Sequence, residues 1–110
     1  MRAKEGLWFW GNGSLQTTVD LRQGPVRITV VGRGVRVDGE WPRVDIELGS
    51  EPVASLTIDG FTVADHTAVV PAASSGRSVL KLRFTNYVPV PEKPLTSRGL
   101  MVERVIVSQP

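Results

Sequence analysis

The fold of this chain is decided by the stretch Leu15-Gln16-Thr17-Thr18-Val19-Asp20-Leu21, in which two kinds of side chain alternate. The odd-numbered positions are apolar or threonine, and the even-numbered positions are polar. Because successive side chains of a β-strand point to opposite faces, this pattern predicts a strand with one buried face. No window of a dozen residues repeats apolar positions at helical spacing, so the sequence predicts an all-β protein.

Comparable segments recur along the chain and predict about eight strands. The segments are Leu7–Trp10, Leu15–Leu21, Val26–Val31, Val44–Leu48, Leu56–Ile58, Phe61–Val70, Leu80–Phe84 and Leu100–Val107. Within the last segment Glu103-Arg104 interrupts the alternation, which indicates a β-bulge. Short strands at nearly regular spacing predict an antiparallel sandwich or barrel, and 110 residues suit one domain over 1–110.

Glycine, proline and serine separate these segments and supply the positive or preset φ angles of tight turns. The predicted turns are Gly11–Gly13, Gln23–Pro25, Gly32–Gly34, Gly49–Pro52, Asp59-Gly60 and Ala73–Gly76. The glycine pairs at Gly11–Gly13 and Gly32–Gly34 are interpreted as turns and not as phosphate loops, because neither opens a helix.

Composition narrows the possible partners. The net charge is only +2 and the two signs alternate along the chain, so a nucleic-acid surface is not expected. The chain has no membrane-length apolar run and no signal-peptide pattern, so no membrane partner is expected. The absence of cysteine excludes disulfides and thiolate chemistry. Arg outnumbers Lys and the loops are rich in proline, a pattern compatible with a thermostable protein.

The long segment Val88–Arg98 is the first place to look for function. Three prolines there forbid a central strand, so we expect a surface loop, and loops of this length are often functional. Asn86 and Tyr87 enter the loop with an amide and an aromatic ring, and Arg98 leaves it with a planar multi-donor group. The interpretation of this segment as a merely structural tether fits these residues equally well.

Three tryptophans are candidates for a sugar-binding platform. Trp8 and Trp10 share one face of the first strand, and Trp41 begins the strand that carries Val44. Indole faces stack on pyranose rings, but tryptophan is also a common core residue. The sequence leaves both readings open for all three residues.

Catalytic candidates are few. Asp45 and Glu47 share a strand face at a spacing within reach of glycosidase carboxylates, but a solvated sheet face explains them better. His66 follows Asp65, yet adjacent strand residues point to opposite faces and no nucleophile accompanies them. We therefore expect no enzyme, with a small glycosidase as the disfavoured alternative. A lone histidine also makes a zinc site improbable, whereas calcium stays open.

Three stretches together resemble the calcium-dependent xylan-binding type of carbohydrate-binding module, a jelly-roll β-sandwich of bacterial hydrolases and other glycan-handling proteins. The first is Trp8–Ser14, similar to the aromatic strand and Asn-Gly turn that open these domains. The second is Gly39–Val44, with its Trp-Pro pair. The third is Phe84–Asn86 followed by Arg98–Leu100, similar to the Phe-Thr-Asn-Asp and Arg-Asn-Leu motifs of the family.

The resemblance implies a non-catalytic accessory module that binds a polysaccharide such as xylan at one end of the sandwich. It implies Tyr87, Asn86, Arg98 and Trp41 as sugar-binding residues. In the family, loop aspartates hold a calcium ion that orients the sugar, which leaves Asn86 and Glu92 as metal ligands here. Tyr87 replaces the expected Asp, and Gly99 replaces an Asn, so at least one family ligand is missing.

The resemblance further implies an extracellular or cell-surface location within a larger glycan-active protein, although this chain carries no targeting signal. The competing hypothesis is a structural or protein-interaction sandwich, within a larger protein or a homo-oligomer, that binds no glycan. That hypothesis expects the apolar residues of the long loop, such as Val88 and Leu95, to be buried in an assembly.

Overall fold

The computed structural model describes residues 2–10, 12–36, 40–85 and 99–109, and these residues form β-strands joined by short connections. The strands are β1 Arg2–Trp10, β2 Asn12–Leu21, β3 Gly24–Val35, β4 Arg43–Leu48, β5 Glu51–Thr57, β6 Ala64–Ala73, β7 Gly76–Thr85 and β8 Gly99–Ser108. Each predicted segment overlaps one of these strands. The described residues contain no helix that is long and apolar enough to cross a membrane.

The strands form two four-stranded sheets in which all neighbours are antiparallel. The first sheet has the order β1-β8-β3-β6, and the second has the order β2-β7-β4-β5. Consecutive strands alternate between the sheets, except that β4 and β5 form a hairpin within the second sheet. This is the eight-stranded jelly roll, a sandwich made of two Greek keys. The predicted all-β, jelly-roll sandwich is therefore confirmed.

The hydrophobic core lies between the inner faces of the two sheets. Ile28 and Val30 of β3 face Ile46, Leu80 and Phe84 of the second sheet within one cluster of buried side chains. All five are at most 1% exposed. Burying a side chain of this size stabilises the folded state by about 1.5–3 kcal/mol, so these strands hold the sandwich together.

The predicted bulge in the last strand is present and explains a glycine. Val31 pairs with Arg104 while the next residue, Gly32, pairs with Val102, so Glu103 is the extra residue. At this irregularity the Met101 carbonyl oxygen approaches Gly32 so closely that a Cβ atom would collide with it. The prediction of a turn at Gly32–Gly34 is thus wrong: both glycines lie inside β3, where backbone crowding requires them.

The β4–β5 hairpin shows the turn chemistry most clearly. Leu48 pairs with Glu51, which leaves Gly49 and Ser50 as a two-residue loop. Both have positive φ, at 60° and 72°, as the tight type I′ hairpin turn requires. The turn predicted at Gly11–Gly13 does not extend over all three residues, because β2 already begins at Asn12, which pairs with Thr85.

The connections sort to the two ends of the sandwich. The turns that follow β2, β4 and β6 lie at one end, so the described parts of the β3–β4 and β5–β6 connections, residues 36, 40–42 and 58–63, lie at the other end. We call the latter the loop end. Thr85, the last residue of β7, and Gly99, the first of β8, also lie there, since they pair with Asn12 and Val35.

Candidate functional site

A cluster of one tryptophan, one phenylalanine and one arginine lies at the loop end. The ring of Trp41 meets that of Phe61 edge to face, with centroids 4.8 Å apart and an interplanar angle of 63°. The guanidinium carbon of Arg36 lies 5.4 Å from the centre of the Trp41 ring, within the range of a cation–π contact. We call these three residues the platform. Its members come from two connections, β3–β4 and β5–β6.

Backbone contacts fix the two connections against each other. The Ile58 amide donates to the Pro42 carbonyl oxygen at 2.9 Å, next to Trp41. The Gly34 amide donates to the Gly60 carbonyl oxygen at 2.8 Å, next to Phe61. Trp41 precedes Pro42 and Phe61 follows Gly60, so each aromatic residue is next to a residue held by a backbone hydrogen bond. These bonds pre-organise the platform before any ligand binds.

The space for these contacts exists because residue 34 is glycine. A Cβ atom at Gly34 would lie 2.6 Å from the Ile58 carbonyl oxygen and 2.7 Å from the Pro42 ring. Real Cβ atoms are not found at such distances, so only glycine lets the connections approach β3 this closely. Pro42 and Ile58 are themselves buried, which places the platform directly on the core.

The platform presents apolar surface to solvent. Phe61 is 59% exposed, and nearby Val63 is 43% exposed. Trp41, which contacts both of the other two residues, is half-buried, and Arg36 is exposed. An exposed aromatic ring offers a face for the C–H groups of a sugar, while a guanidinium donates hydrogen bonds to hydroxyl or carboxylate oxygens. This pairing of chemistries suits a polar ligand with apolar ring faces.

Of the four residues that the family resemblance implies as sugar-binding, Trp41 alone lies among the described residues. It lies in the connection before β4, which begins at Arg43, and not in the strand itself. The other predicted residues, Asn86, Tyr87, Glu92 and Arg98, lie outside the described residues, as does the rest of the loop Val88–Arg98. The described strand ends that flank them, Thr85 and Gly99, lie at the same end of the sandwich as Trp41.

Sequence reasoning missed Phe61 and Arg36. Phe61 was assigned to a strand, but β6 begins at Ala64 and Phe61 belongs to the connection before it. The available signal was the Asp59-Gly60 turn, since a bulky apolar residue directly after a turn has no strand face to be buried in. Arg36 gave no local signal, because its contact with Trp41 depends on how the β3–β4 connection folds.

The described residues do not fit a metal site. Within residues 2–10, 12–36, 40–85 and 99–109, no three His, Asp or Glu side chains come together as a metal centre needs. The predicted ligands Asn86 and Glu92 fall outside this set.

The candidate glycosidase carboxylates are engaged in ion pairs. Arg43 Nε lies 3.0 Å from Asp45 Oδ1, and Ser55 also donates to this oxygen at 3.0 Å. Arg83 Nη2 lies 2.9 Å from Glu47 Oε2. Both carboxylates sit on the open outer face of the second sheet, where such pairs contribute little to stability. Their surroundings are those of a solvated charge ladder and not of a catalytic pocket.

His66 forms no catalytic pair with its neighbour Asp65. In the sheet His66 of β6 lies opposite the fully buried Val30 of β3, so its ring turns toward the interior, while Asp65 is exposed. His66 Nδ1 lies 3.8 Å from Asp59 Oδ1, and Nε2 is buried with no hydrogen-bond partner among the described residues. This arrangement supplies no nucleophile.

Comparison with solved structures identifies the same sandwich elsewhere. The chain superimposes on the CBM36-1 domain of a multidomain xylanase from the hindgut metagenome of Trinervitermes trinervoides with a TM-score of 0.71. The two are 16% identical, and the match covers 91% of this chain and 73% of that domain.

A second match is the carbohydrate-binding module CBM36 in complex with calcium and xylotriose, at a TM-score of 0.70 and 17% identity. This match covers 92% of this chain and 78% of the module. No protein-family model and no curated protein matches the chain significantly. At this level of identity the structural matches establish the fold: the chain has the jelly-roll sandwich of carbohydrate-binding modules of the CBM36 type.

Proposed function

We propose that this chain is a non-catalytic carbohydrate-binding module that holds a polysaccharide at the loop end of the sandwich. The observation that carries the proposal is the platform, an aromatic pair in which Phe61 is exposed and Trp41 half-buried, held on the jelly roll by backbone hydrogen bonds. The two solved structures named above are carbohydrate-binding modules, one of which holds xylotriose. Xylan is therefore the first polysaccharide to test.

In this proposal Phe61 offers its exposed face to a sugar ring, and Trp41 supports Phe61 from below. Arg36 donates hydrogen bonds to sugar oxygens from a guanidinium that is already oriented by Trp41. Asn86, Tyr87 and Arg98 stay predicted sugar-binding residues, and the described strand ends next to them in sequence, Thr85 and Gly99, lie at the loop end. A rigid aromatic contact of this kind contributes about 0.5–1.5 kcal/mol, so the affinity is expected to be modest.

No reaction is assigned to the module. Asp45 and Glu47, the carboxylates with the spacing closest to that of a glycosidase, are ion-paired on the open outer face of the second sheet. We therefore propose that any hydrolysis belongs to a larger glycan-active parent protein at the cell surface or outside the cell.

The described residues bring together no set of calcium ligands, so we assign calcium no step in binding by them. The predicted ligands Asn86 and Glu92 keep calcium dependence as a hypothesis to be tested directly. The test is affinity electrophoresis against a panel of xylans, cellulose, mannan and galactan, run once with calcium and once with a calcium chelator.

We expect retardation by at least one polysaccharide, with xylan the first candidate. Retardation that persists in chelator assigns recognition to protein side chains without a metal, whereas retardation lost in chelator assigns calcium a part in binding. A chain that migrates freely through every polysaccharide in both conditions would overturn the proposed function and favour a structural or protein-interaction sandwich.

A further inference from the structure

Strand β2 is an edge strand with an unusually regular backbone. It pairs with β7 over its full length, from Asn12 opposite Thr85 to Leu21 opposite Gly76, without a register shift. No described strand of the second sheet lies along its other edge. An edge of this length presents a row of backbone donors and acceptors that can pair with another strand.

The other three edge strands carry features that discourage such pairing. Strand β5 contains Pro52 and a register shift, and strand β6 contains Pro71 and a register shift. Strand β1 pairs with β8 irregularly between Arg2 and Leu7. Strand β2 contains no proline, no bulge and no lysine, and Asp20 is its one charged residue. The usual protection against edge pairing is therefore weakest at β2.

The sandwich is also open beside β2. Leu15 and Thr17 face inward, since they pair with the buried Leu82 and Leu80, yet Leu15 is half-exposed and Thr17 exposed. They line a largely apolar cavity of about 170 Å³ together with Val105 and Val107 of β8. The described pairing of β1 with β8 ends at Arg104, so no described strand of the first sheet covers this opening.

We propose that the β2 edge binds the β2 edge of a second copy of this chain in an antiparallel pair. A two-fold axis perpendicular to the sheet keeps the inner faces of both copies on the same side of the joined sheet. Two residues that lie opposite each other across the pair must therefore both point inward or both point outward. With the axis at Thr17, half-buried Leu15 lies opposite Val19 of the other copy, and Gln16 lies opposite Thr18. In this register Leu15 of each copy lies beside Val19 of the other copy, so one aliphatic pair forms at each end of the contact.

The charges permit the same register. Asp20 of each copy lies opposite Ser14, so no like charges meet across the pair. The two second sheets then join into one continuous sheet of eight strands, and the apolar openings of both copies lie side by side next to the axis. Because one edge strand buries little area, the association is expected to be weak and concentration-dependent.

Sedimentation velocity of the intact chain over a wide concentration range tests the association. We expect the sedimentation coefficient to rise reversibly toward that of a dimer as concentration increases. Thr17→Lys places two ammonium groups at the axis and is expected to weaken the dimer at least several-fold. Ala72→Lys, which adds the same charge at an exposed position of β6, is expected to leave it unchanged. A chain that stays monomeric throughout, or a dimer equally sensitive to both variants, contradicts the proposal.

Cysteine cross-linking tests the register, because the chain contains no cysteine of its own. Thr17→Cys puts two thiols opposite each other at the axis, and we expect rapid formation of a covalent dimer under mild oxidation. Ala72→Cys is the matched control and is expected to cross-link only at the slow rate of random collision. Equal rates for the two variants would overturn the β2 pairing, whatever the oligomeric state.

Discussion

At the scale of single residues, Gly34 determines how closely the platform sits on the sandwich. Its amide donates to Gly60, and its missing Cβ leaves room for the Ile58 carbonyl oxygen and the Pro42 ring. Trp41 directly precedes Pro42, and Phe61 directly follows Gly60, so both aromatic residues are next to residues that contact Gly34. One small residue in a strand therefore sets how closely both connections approach the core.

Gly34→Ala is expected to lower the free energy of unfolding by at least about 2 kcal/mol, because the added methyl group overlaps backbone and ring atoms. Gly49→Ala is the control. Nothing lies within 4 Å of a Cβ atom there, so only the cost of positive φ remains, about 1 kcal/mol. Urea denaturation of both variants gives the comparison. A smaller loss for Gly34→Ala than for Gly49→Ala would show that the connections move away without cost.

At the scale of elements, the strands stabilise the sandwich and the connections carry its exposed chemistry. Phe84 lies fully buried in β7, between β2 and β4, whereas Phe61 lies 59% exposed in the β5–β6 connection. The same residue type is thus a packing residue in one place and a proposed sugar contact in the other. Loops on a rigid scaffold are the usual location of binding residues.

Truncation of the two phenylalanines is expected to separate these roles. Phe84→Ala removes a buried ring and is expected to cost about 3–5 kcal/mol of stability. Phe61→Ala is expected to change stability by less than about 0.5 kcal/mol, as surface substitutions usually do. Thermal and urea unfolding measure both. A large destabilisation by Phe61→Ala would mean that the platform is part of the core.

The β4–β5 hairpin offers a stabilising change. Ser50 has a φ of 72°, a left-handed conformation that costs a residue with a Cβ atom about 1 kcal/mol. Ser50→Gly removes that cost, partly offset by the greater entropy of glycine in the unfolded chain. We expect a net gain of about 0.5 kcal/mol in the free energy of unfolding. Unchanged or reduced stability in urea would show that the turn is not strained at this position.

The sequence predicted those elements whose signal is local. Alternation along Leu15–Leu21 and its counterparts marked each strand, and the break at Glu103-Arg104 marked the bulge. Gly32 and Gly34 were wrongly predicted to form a turn. Glycine is required at both positions by contacts with β8 and the β5–β6 connection, which sequence spacing does not reveal. Trp41 was recognised as a candidate, but its partners Phe61 and Arg36 meet it only through the fold.

At the scale of the whole molecule, the platform and the β2 edge are separate surfaces. The platform lies on the connections at the loop end, and the β2 edge runs along the side of the second sheet. Glycan binding and self-association therefore need not compete. A dimer would present two platforms to one polymer, which raises the apparent affinity for a polysaccharide above that for a short oligosaccharide.

Calorimetric titration with xylo-oligosaccharides measures how much the platform contributes to glycan binding. Phe61→Ala is compared with Val69→Ala, which truncates an equally exposed apolar residue on the outer face of the first sheet. We predict that Phe61→Ala weakens binding about tenfold, equivalent to about 1.4 kcal/mol, while Val69→Ala binds like the unmodified chain. Equal affinities for all three proteins would contradict the account.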